Sequence, residues 1–315
     1  MPTPVDYKID PALTNFVSSY GTVGHVGKDA LTQVPSGGMN FSFHEWTKGD
    51  ILRLPTTDKV QSRSKPFTWE YGKTKTPAVI ERHAQRVFID NDDIDNADSV
   101  LELEMAETEF VAGQMLTMLE KAVRDVYADA AVPSTTLSGT DQWAASTGLD
   151  GTTSDPAKDI LYTACEAVRI ATGGRWPNTI IMPSKSATAF KKHAKIRDLL
   201  KYTHDDLLRV FGPEAPEVKM LWDCRWLIPT PTENTAQEGV ADVIADVWSD
   251  NVYVAYISQI RTRKVATFGS LFWWKDNVRR YEQTDENGYY IEPNMYYLPK
   301  LVNASYAYAI KDTLG

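Results

Sequence analysis

The clearest pattern in the chain is a run of apolar residues at helical spacing between Ser99 and Ala130. Apolar residues recur there every three or four positions, which predicts one long amphipathic helix. These apolar residues form two rows, whereas a coiled coil needs one strict seam. The two rows favour a helix that lies across a sheet, with a further surface on its far side. The first row is Leu103, Ala106, Phe110, Gly113, Leu116, Leu119, Val123, Val126 and Ala130, and the second is Met105, Ala112, Met115, Met118 and Ala122.

The residues at the two ends of this run predict where the helix begins and ends. Ser99 and Glu102 have the spacing of a capping box, in which side chains satisfy the first backbone N–H groups. Asp98 adds negative charge at the positive end of the helix dipole, and Pro133 ends the run. At 1.5 Å per residue, the predicted helix is about 45 Å long.

Before this helix, alternating apolar residues predict a long β-hairpin. Its strand-rich arms span residues 41–54 and 67–89, and the polar segment 55–66 forms its tip. A hairpin of this length with little to pack on is marginal in an isolated monomer. We therefore expect it to lie on another molecule.

After the long helix, helices and strands alternate and then give way to strands, which predicts an α+β fold. The Asn287-Gly288 pair marks a tight hairpin turn late in the chain. Residues 1–40 are interrupted by Gly and Pro, with one short helix at 10–20. The other predicted helices span 157–172, 184–193 and 194–210, and the predicted strands span 179–182, 218–229, 242–257, 261–265, 270–275, 278–283, 289–297 and 301–310.

Composition narrows the classes of protein. The chain has 315 residues, 43% of them hydrophobic, enough for a large core in one or two domains. A net charge of −9 argues against a protein that wraps nucleic acid tightly, because such binding needs clustered Lys and Arg. It is compatible with a protein surface that lies beside nucleic acid without adhering to it. The two cysteines, Cys165 and Cys224, favour a reducing compartment. We expect no signal peptide and no membrane span.

No pattern of reactive residues points to an enzyme. The histidines lack metal-ligand spacing, and the glycines at 21, 24 and 27 are not followed by the Lys of a phosphate loop. The acidic run 90–95 fails as a calcium loop because Ile94 occupies a ligand position. We expect no catalytic residue, cofactor or metal site. A hydrolase that uses paired carboxylates remains an alternative, since an acidic chain supplies many such pairs.

The order of short motifs resembles that of the major capsid protein of tailed bacteriophages, with its Hong Kong 97-like shell fold. The similarity spans nearly the whole chain, and its specificity comes from the collinearity of motifs that are individually weak. The motifs are Gly49-Asp50, Phe67-Thr68-Trp69, the run 81–95, Asn96-Ala97-Asp98, Ala106-Glu107, Glu120, the run 176–182, the run 246–252, Phe268-Gly269 and Phe272-Trp273-Trp274.

The resemblance implies a division of the chain into segments. The arm and the loop would reach across neighbouring subunits, and the long helix would form the spine of a peripheral domain. The implied segments are an N-terminal arm at 1–40, an extended β-hairpin loop at 41–85, a peripheral domain with the spine helix at 86–131, an axial domain at 132–260, peripheral-domain strands at 261–299 and a C-terminal strand at 300–315 that returns to the axial domain.

The resemblance also implies a function. Such proteins self-assemble as hexamers and pentamers into an icosahedral shell that encloses double-stranded DNA, which meets the inner face without sequence specificity. This implies a virion protein made in the bacterial host cytoplasm, with no membrane partner. A separate scaffolding protein and portal and decoration proteins are further implied partners. The alternative within the same fold is the shell of an encapsulin-like bacterial nanocompartment.

Side chains at the loop tip and in the late aromatic run are the candidates for contacts between subunits. Some relatives also join Lys to Asn covalently, and Lys59, Lys65 and Asn303 are the residue types needed. We expect no such bond here, because the attacking Lys must be desolvated beside a buried acid. The interface candidates are Lys59, Arg63, Lys65, Phe67, Trp69, Phe272, Trp273 and Trp274.

Overall fold

The computed structural model describes residues 8–19, 24–47, 49, 52–54, 58–66, 68, 74–96, 99–143, 156–193, 195–196, 224–283 and 287–314. The helices are α1 (Pro11–Ser19), α2 (Asn91–Asn96), α3 (Val100–Tyr127), α4 (Tyr162–Ala171) and α5 (Ser184–Lys192). The strands are β1 (Lys8–Ile9), β2 (Thr32–Pro35), β3 (Asn40–His44), β4 (Lys75–Val79), β5 (Glu81–Ala84), β6 (Val87–Asp90), β7 (Ser134–Thr136), β8 (Thr179–Ile181), β9 (Arg225–Leu227), β10 (Thr232–Asn234), β11 (Ile244–Asp246), β12 (Val252–Ala255), β13 (Gly269–Gln283), β14 (Gly288–Leu301) and β15 (Ala307–Lys311).

Helix α3 is the long helix that the apolar spacing predicts. It begins after Ser99, whose hydroxyl accepts a hydrogen bond from the Glu102 N–H at 3.4 Å. Its 28 residues give a length of about 42 Å at the standard rise. On the far side of the helix Phe110 and Met118 are 66% and 56% exposed, and the further surface expected there stays a prediction. One face of the helix therefore packs on the sheet while apolar side chains remain on the outer face.

Strands β13 and β14 form the centre of the larger sheet. They pair antiparallel, β2 and β1 join β13, and β5 and β6 join β14. Two of the predicted strands, 270–275 and 278–283, are in fact one strand with a bulge between Trp273 and Asp276. The bulge interrupts the alternation of apolar residues, which explains why the sequence pattern divided the strand. The chain reverses direction between the paired residues Gln283 and Gly288, where a hairpin turn is predicted, and Asn287 has a φ of 49°.

A second sheet has the strand order β7-β15-β12-β8-β9. Helices α4 and α5 pack on it, and residues such as Phe190, Trp226 and Val254 form a core separate from the one beneath α3. Strand β15 pairs antiparallel with β12 and parallel with β7, so the last residues of the chain complete this sheet.

Several predicted elements differ in detail. Residues 261–265 are not a strand, because the segment makes a turn beside the base of the β3–β4 hairpin, where the Arg263 carbonyl accepts from the His44 N–H. Ser184 begins α5 but does not cap it; the cap residue is Pro183. A π-helix, Pro156–Leu161, precedes α4. Most of the predicted helix at 194–210 lies outside the described residues.

Candidate subunit-interface surfaces

The β3–β4 hairpin is anchored to the larger sheet at its base. Phe43 is buried and contacts Phe272, with ring centroids 5.3 Å apart. The Trp46 N–H donates to the Val302 carbonyl at 3.2 Å, and the Ile80 N–H donates to the Met39 carbonyl at 2.8 Å. The base of the hairpin is therefore part of the subunit core.

The described part of the loop tip, residues 58–66, is exposed throughout. Lys59, Arg63 and Lys65 all lie in it. A hydrogen bond from the Ser64 N–H to the Gln61 carbonyl, 3.0 Å long, closes a turn in which Arg63 has a φ of 69°. Phe67 and Trp69, the two aromatic candidates of this segment, lie outside the described residues.

The late aromatic run contributes mainly to the subunit's own packing. Phe272 is 0% exposed and packs against Phe41 at 4.4 Å, so it has no area to offer a neighbour in this conformation. Trp273 is half-buried and stacks on Tyr297, and Trp274 is half-buried with its ring edge against Tyr296. The interface role of these two tryptophans stays a prediction, whereas Phe272 is a core residue.

The described N-terminal residues pack on their own subunit. Strand β1 pairs with β13, and Leu13 and Val17 of α1 are buried beside it. Asp10 caps α1 by accepting from the Ala12 N–H at 2.9 Å. Within the predicted arm at 1–40, residues 8–19 thus have an intramolecular position. To reach a neighbour, residues 8–19 would have to leave these contacts.

The carboxylate of Glu120 holds the glycine-rich segment against α3. It accepts from the N–H of Gly27 at 2.6 Å, of Val26 at 3.1 Å and from Nε1 of Trp248 at 2.6 Å. Burial raises the pKa of this carboxyl, and the three donors counteract that shift. Gly27, the last of the glycines that fail as a phosphate loop, thus binds an anion of the chain itself. A Glu within the apolar rows of a helix was the sequence signal for this site.

A second buried carboxylate ties α3 to the β13–β14 hairpin. Glu104 accepts a hydrogen bond from the Tyr289 hydroxyl and forms an ion pair with Arg280, whose Nη1 lies 2.9 Å away. The Arg280 guanidinium also lies over the Tyr289 ring, 3.9 Å from its centroid. Glu104 is buried, whereas the Arg280 side chain is 37% exposed, so the buried carboxylate is paired with a partly solvated cation. Sequence reasoning missed this network, since its members are far apart in the chain.

Cys165 lies buried in the core beneath the second sheet. Burial raises the pKa of the Cys165 thiol to about 12, which keeps it protonated and unreactive at neutral pH. Among the described residues, no three His, Cys, Asp or Glu side chains converge as metal ligands. No helix within the described ranges has the length and apolar character needed to cross a membrane.

Comparison with solved structures identifies the fold. It matches a phage-related protein from Bordetella bronchiseptica RB50 with a TM-score of 0.74 at 20% identity, over 98% of each chain. It matches a subunit of the bacteriophage PhiM1 mature capsid with a TM-score of 0.54 at 12% identity, over 93% of this chain and 88% of that one. A virus-like particle from Pyrococcus furiosus matches with a TM-score of 0.52 at 10% identity, over 95% of this chain and 96% of that one.

The chain matches no protein-family model and no curated protein. The structural matches nevertheless cover almost the full chain, so they concern the whole architecture rather than one motif. The fold is the Hong Kong 97-like capsid fold, and the resemblance to tailed-phage major capsid proteins is confirmed at the level of the fold.

Proposed function

We propose that this protein is the major capsid subunit of a tailed bacteriophage. It self-assembles as hexamers and pentamers into an icosahedral shell that encloses double-stranded DNA. The observation that supports this most strongly is the likeness to a mature phage capsid subunit over 93% of the chain. In this proposal the protein has a structural rather than a catalytic role.

The surface has the properties that such an assembly needs. The basic loop tip is exposed, and Leu54, close to it in sequence, is 84% exposed. Exposed apolar side chains mark contact surfaces when they recur on one molecule. Each contact can be weak, because a closed shell repeats it many times. The net charge of −9 suits an inner wall to which DNA does not adhere.

The domain division implied by the resemblance forms part of this proposal. The segment 41–85 would be the extended loop, α3 the spine of the peripheral domain, and 132–260 with the C-terminal strand the axial domain around the rings. The protein would be found in the virion head, after synthesis in the host cytoplasm. A scaffolding protein, a portal and decoration proteins would be its partners during and after assembly.

An encapsulin-like compartment is the second candidate. It is favoured by one specific observation, the likeness to the Pyrococcus furiosus virus-like particle at a TM-score of 0.52. Such a shell would contain a folded enzyme instead of a genome. The two candidates therefore differ in cargo and agree on closed particles.

The test is the size and content of the purified protein. Light scattering and negative-stain microscopy should show closed particles or rings of five and six, and particles from infected or induced cells should carry nuclease-protected DNA. Particles that contain a stoichiometric second protein and no DNA would favour the compartment. A compact monomer at high concentration, unchanged by crowding agents, would contradict both and return the carboxylate pairs to consideration.

A further inference from the structure

Strands β10 and β11 form a hairpin that is a two-stranded sheet of its own. Ion pairs hold its base: Glu233 lies 2.6 Å from Lys121 of α3, and Asp246 lies 2.8 Å from Lys185 of α5. The connecting residues 237–244 are exposed throughout. The hairpin is therefore fixed to its own subunit at its base, while its other end faces solvent.

The exposed end of this hairpin has a defined shape. The Thr235 N–H donates to the Val243 carbonyl at 2.9 Å, and Oδ1 of Asn234 accepts from the Val243 N–H at 3.0 Å. A further hydrogen bond, 3.1 Å long, runs from the Val240 N–H to the Gln237 carbonyl. A surface that is already ordered loses little conformational entropy when a partner binds it.

The hairpin end combines exposed apolar side chains with negative charge. Val240, Val243 and Ile244 are 63%, 55% and 65% exposed, although Val and Ile are usually buried. Exposed apolar side chains that cluster in this way mark a contact surface. Residues 231–246 contain four acidic residues and no Lys or Arg, a formal charge of −4. Two such hairpins would repel each other, so the complementary surface is a basic one.

A basic surface with exposed apolar side chains is formed by two other segments, 173–178 and 256–265. Asn178 joins them, because its side chain accepts from the Ile257 N–H at 2.9 Å and donates to the Ile257 carbonyl at 2.6 Å. The two segments therefore lie side by side. We call this surface the basic edge.

The basic edge has the opposite charge to the hairpin. Its two segments contain four basic residues and no Asp or Glu, a formal charge of +4. Arg175 and Arg261 are exposed. Trp176 and Ile260, close to them in sequence, are 42% and 60% exposed. Apolar side chains beside the arginines favour a protein partner over a phosphate group, which would use only the charge.

We propose that the β10–β11 hairpin of one copy of this chain docks on the basic edge of a second copy. The inference rests on the proposed function, since it requires an assembly in which copies meet. Hairpin and edge are different surfaces, so the contact is head-to-tail and can close a ring. The opposite charges orient the encounter, and burial of the apolar side chains stabilises it. Repetition around the ring strengthens a contact that is weak by itself.

Cysteine pairing across the contact tests this proposal. A Val240→Cys variant and an Ile260→Cys variant are mixed, co-assembled and oxidised, and the products are run on a non-reducing gel. We expect disulfide-linked dimers from the mixture and not from either variant alone, because each variant carries only half of the pair. The native Cys165 and Cys224 are buried and do not compete. The matched control uses Asp93→Cys, an exposed position on α2, in place of Ile260→Cys and should give no dimer.

Charge reversal gives a second measurement that needs no disulfide. Glu238→Lys, at the exposed end of the hairpin, should lower the assembled fraction several-fold. Arg261→Glu in the same chain should restore much of it, because the pair of opposite charges is then present again in reversed order. Lys192→Glu, at an exposed position in α5, replaces Arg261→Glu in the matched control and should restore nothing. Thermal unfolding of the unassembled variants verifies that each one is folded.

The outcomes separate this contact from the shell function. Wild-type shells would leave the shell function intact, while no dimer above the control, or no effect of charge reversal, would overturn the hairpin contact. Dimers from Val240→Cys alone, as abundant as those from the mixture, would overturn it as well, since like surfaces would then meet. A wild-type protein that never assembles would overturn the proposed function itself, and this contact with it.

Discussion

At the scale of single residues, Gly27 shows how closely the glycine-rich segment approaches α3. A Cβ at this position would lie 2.7 Å from Oε2 of Glu120 and 3.4 Å from its Cα. We expect Gly27→Ala to destabilise the subunit by about 1–3 kcal/mol through overpacking and a displaced carboxylate. Urea denaturation of the unassembled subunit measures this. Gly37→Ala, where nothing lies within 4 Å of the added carbon, is the matched control and should change stability little.

Asp276 gives a prediction about pH. Burial beside the bulge raises the pKa of its carboxyl to about 6 from 3.8. The folded state therefore binds this proton more tightly than the unfolded state does. Its contribution to stability is complete below the unfolded pKa and is lost as pH rises from about 4 through 6.

An Asp276→Asn variant removes this titration. The stability of the variant minus that of the wild type should rise between pH 4 and pH 7. The rise should reach up to about 3 kcal/mol, since each unit of pKa shift corresponds to about 1.36 kcal/mol. Denaturation curves at several pH values measure the difference. Asp93→Asn, at an exposed position in α2, should run parallel to the wild type. If the Asp276→Asn curve also ran parallel to it, burial of this carboxyl would not be a source of the pH dependence.

At the scale of elements, the sequence predicted what depends on local periodicity. Helix α3 was predictable because its period persists over 28 residues and Ser99 marks its start. The single long strand β13 was not predictable, because the bulge between Trp273 and Asp276 changes which face of the sheet each side chain occupies. The burial of Phe272 likewise depends on Phe41 and Phe43, more than 200 positions away. The sequence pattern places an apolar residue in a strand, and only the tertiary fold shows which side chains pack over it.

The position of Phe272 between the hairpin base and the larger sheet gives a test that separates core from interface. We expect Phe272→Ala to cost about 3–5 kcal/mol in the unassembled subunit, as for other buried aromatic residues. Leu54→Ala, at an exposed site, should leave that stability nearly unchanged and lower assembly instead. Thermal unfolding and light scattering, measured on the same samples, distinguish the two effects. If the Phe272→Ala variant were as stable as the wild type but failed to assemble, Phe272 would be an interface residue after all.

At the scale of the whole molecule, the fold was predictable from the order of weak motifs, whereas sites that combine distant segments of the chain were not. Exposure of Lys59 and Lys65 follows from a polar tip, but the open groove at the base of the β3–β4 hairpin is lined by residues from segments near 45, 125 and 300. Such a site has no sequence signature, because no local spacing connects its parts. The same limit applies to Glu104, Arg280 and Tyr289.

The assembled shell gives the last prediction, which concerns covalent joining of subunits. Lys59 and Lys65 are exposed on the subunit, whereas a lysine that attacks an amide must be desolvated beside a buried acid. Asn303 already uses its amide oxygen to accept from Ser305. We therefore expect purified shells, boiled in denaturant and reductant, to give a single band at 35.3 kDa. A ladder of multiples that Lys65→Arg or Lys59→Arg abolishes would contradict this, and it would mean that assembly desolvates a lysine beside an acid.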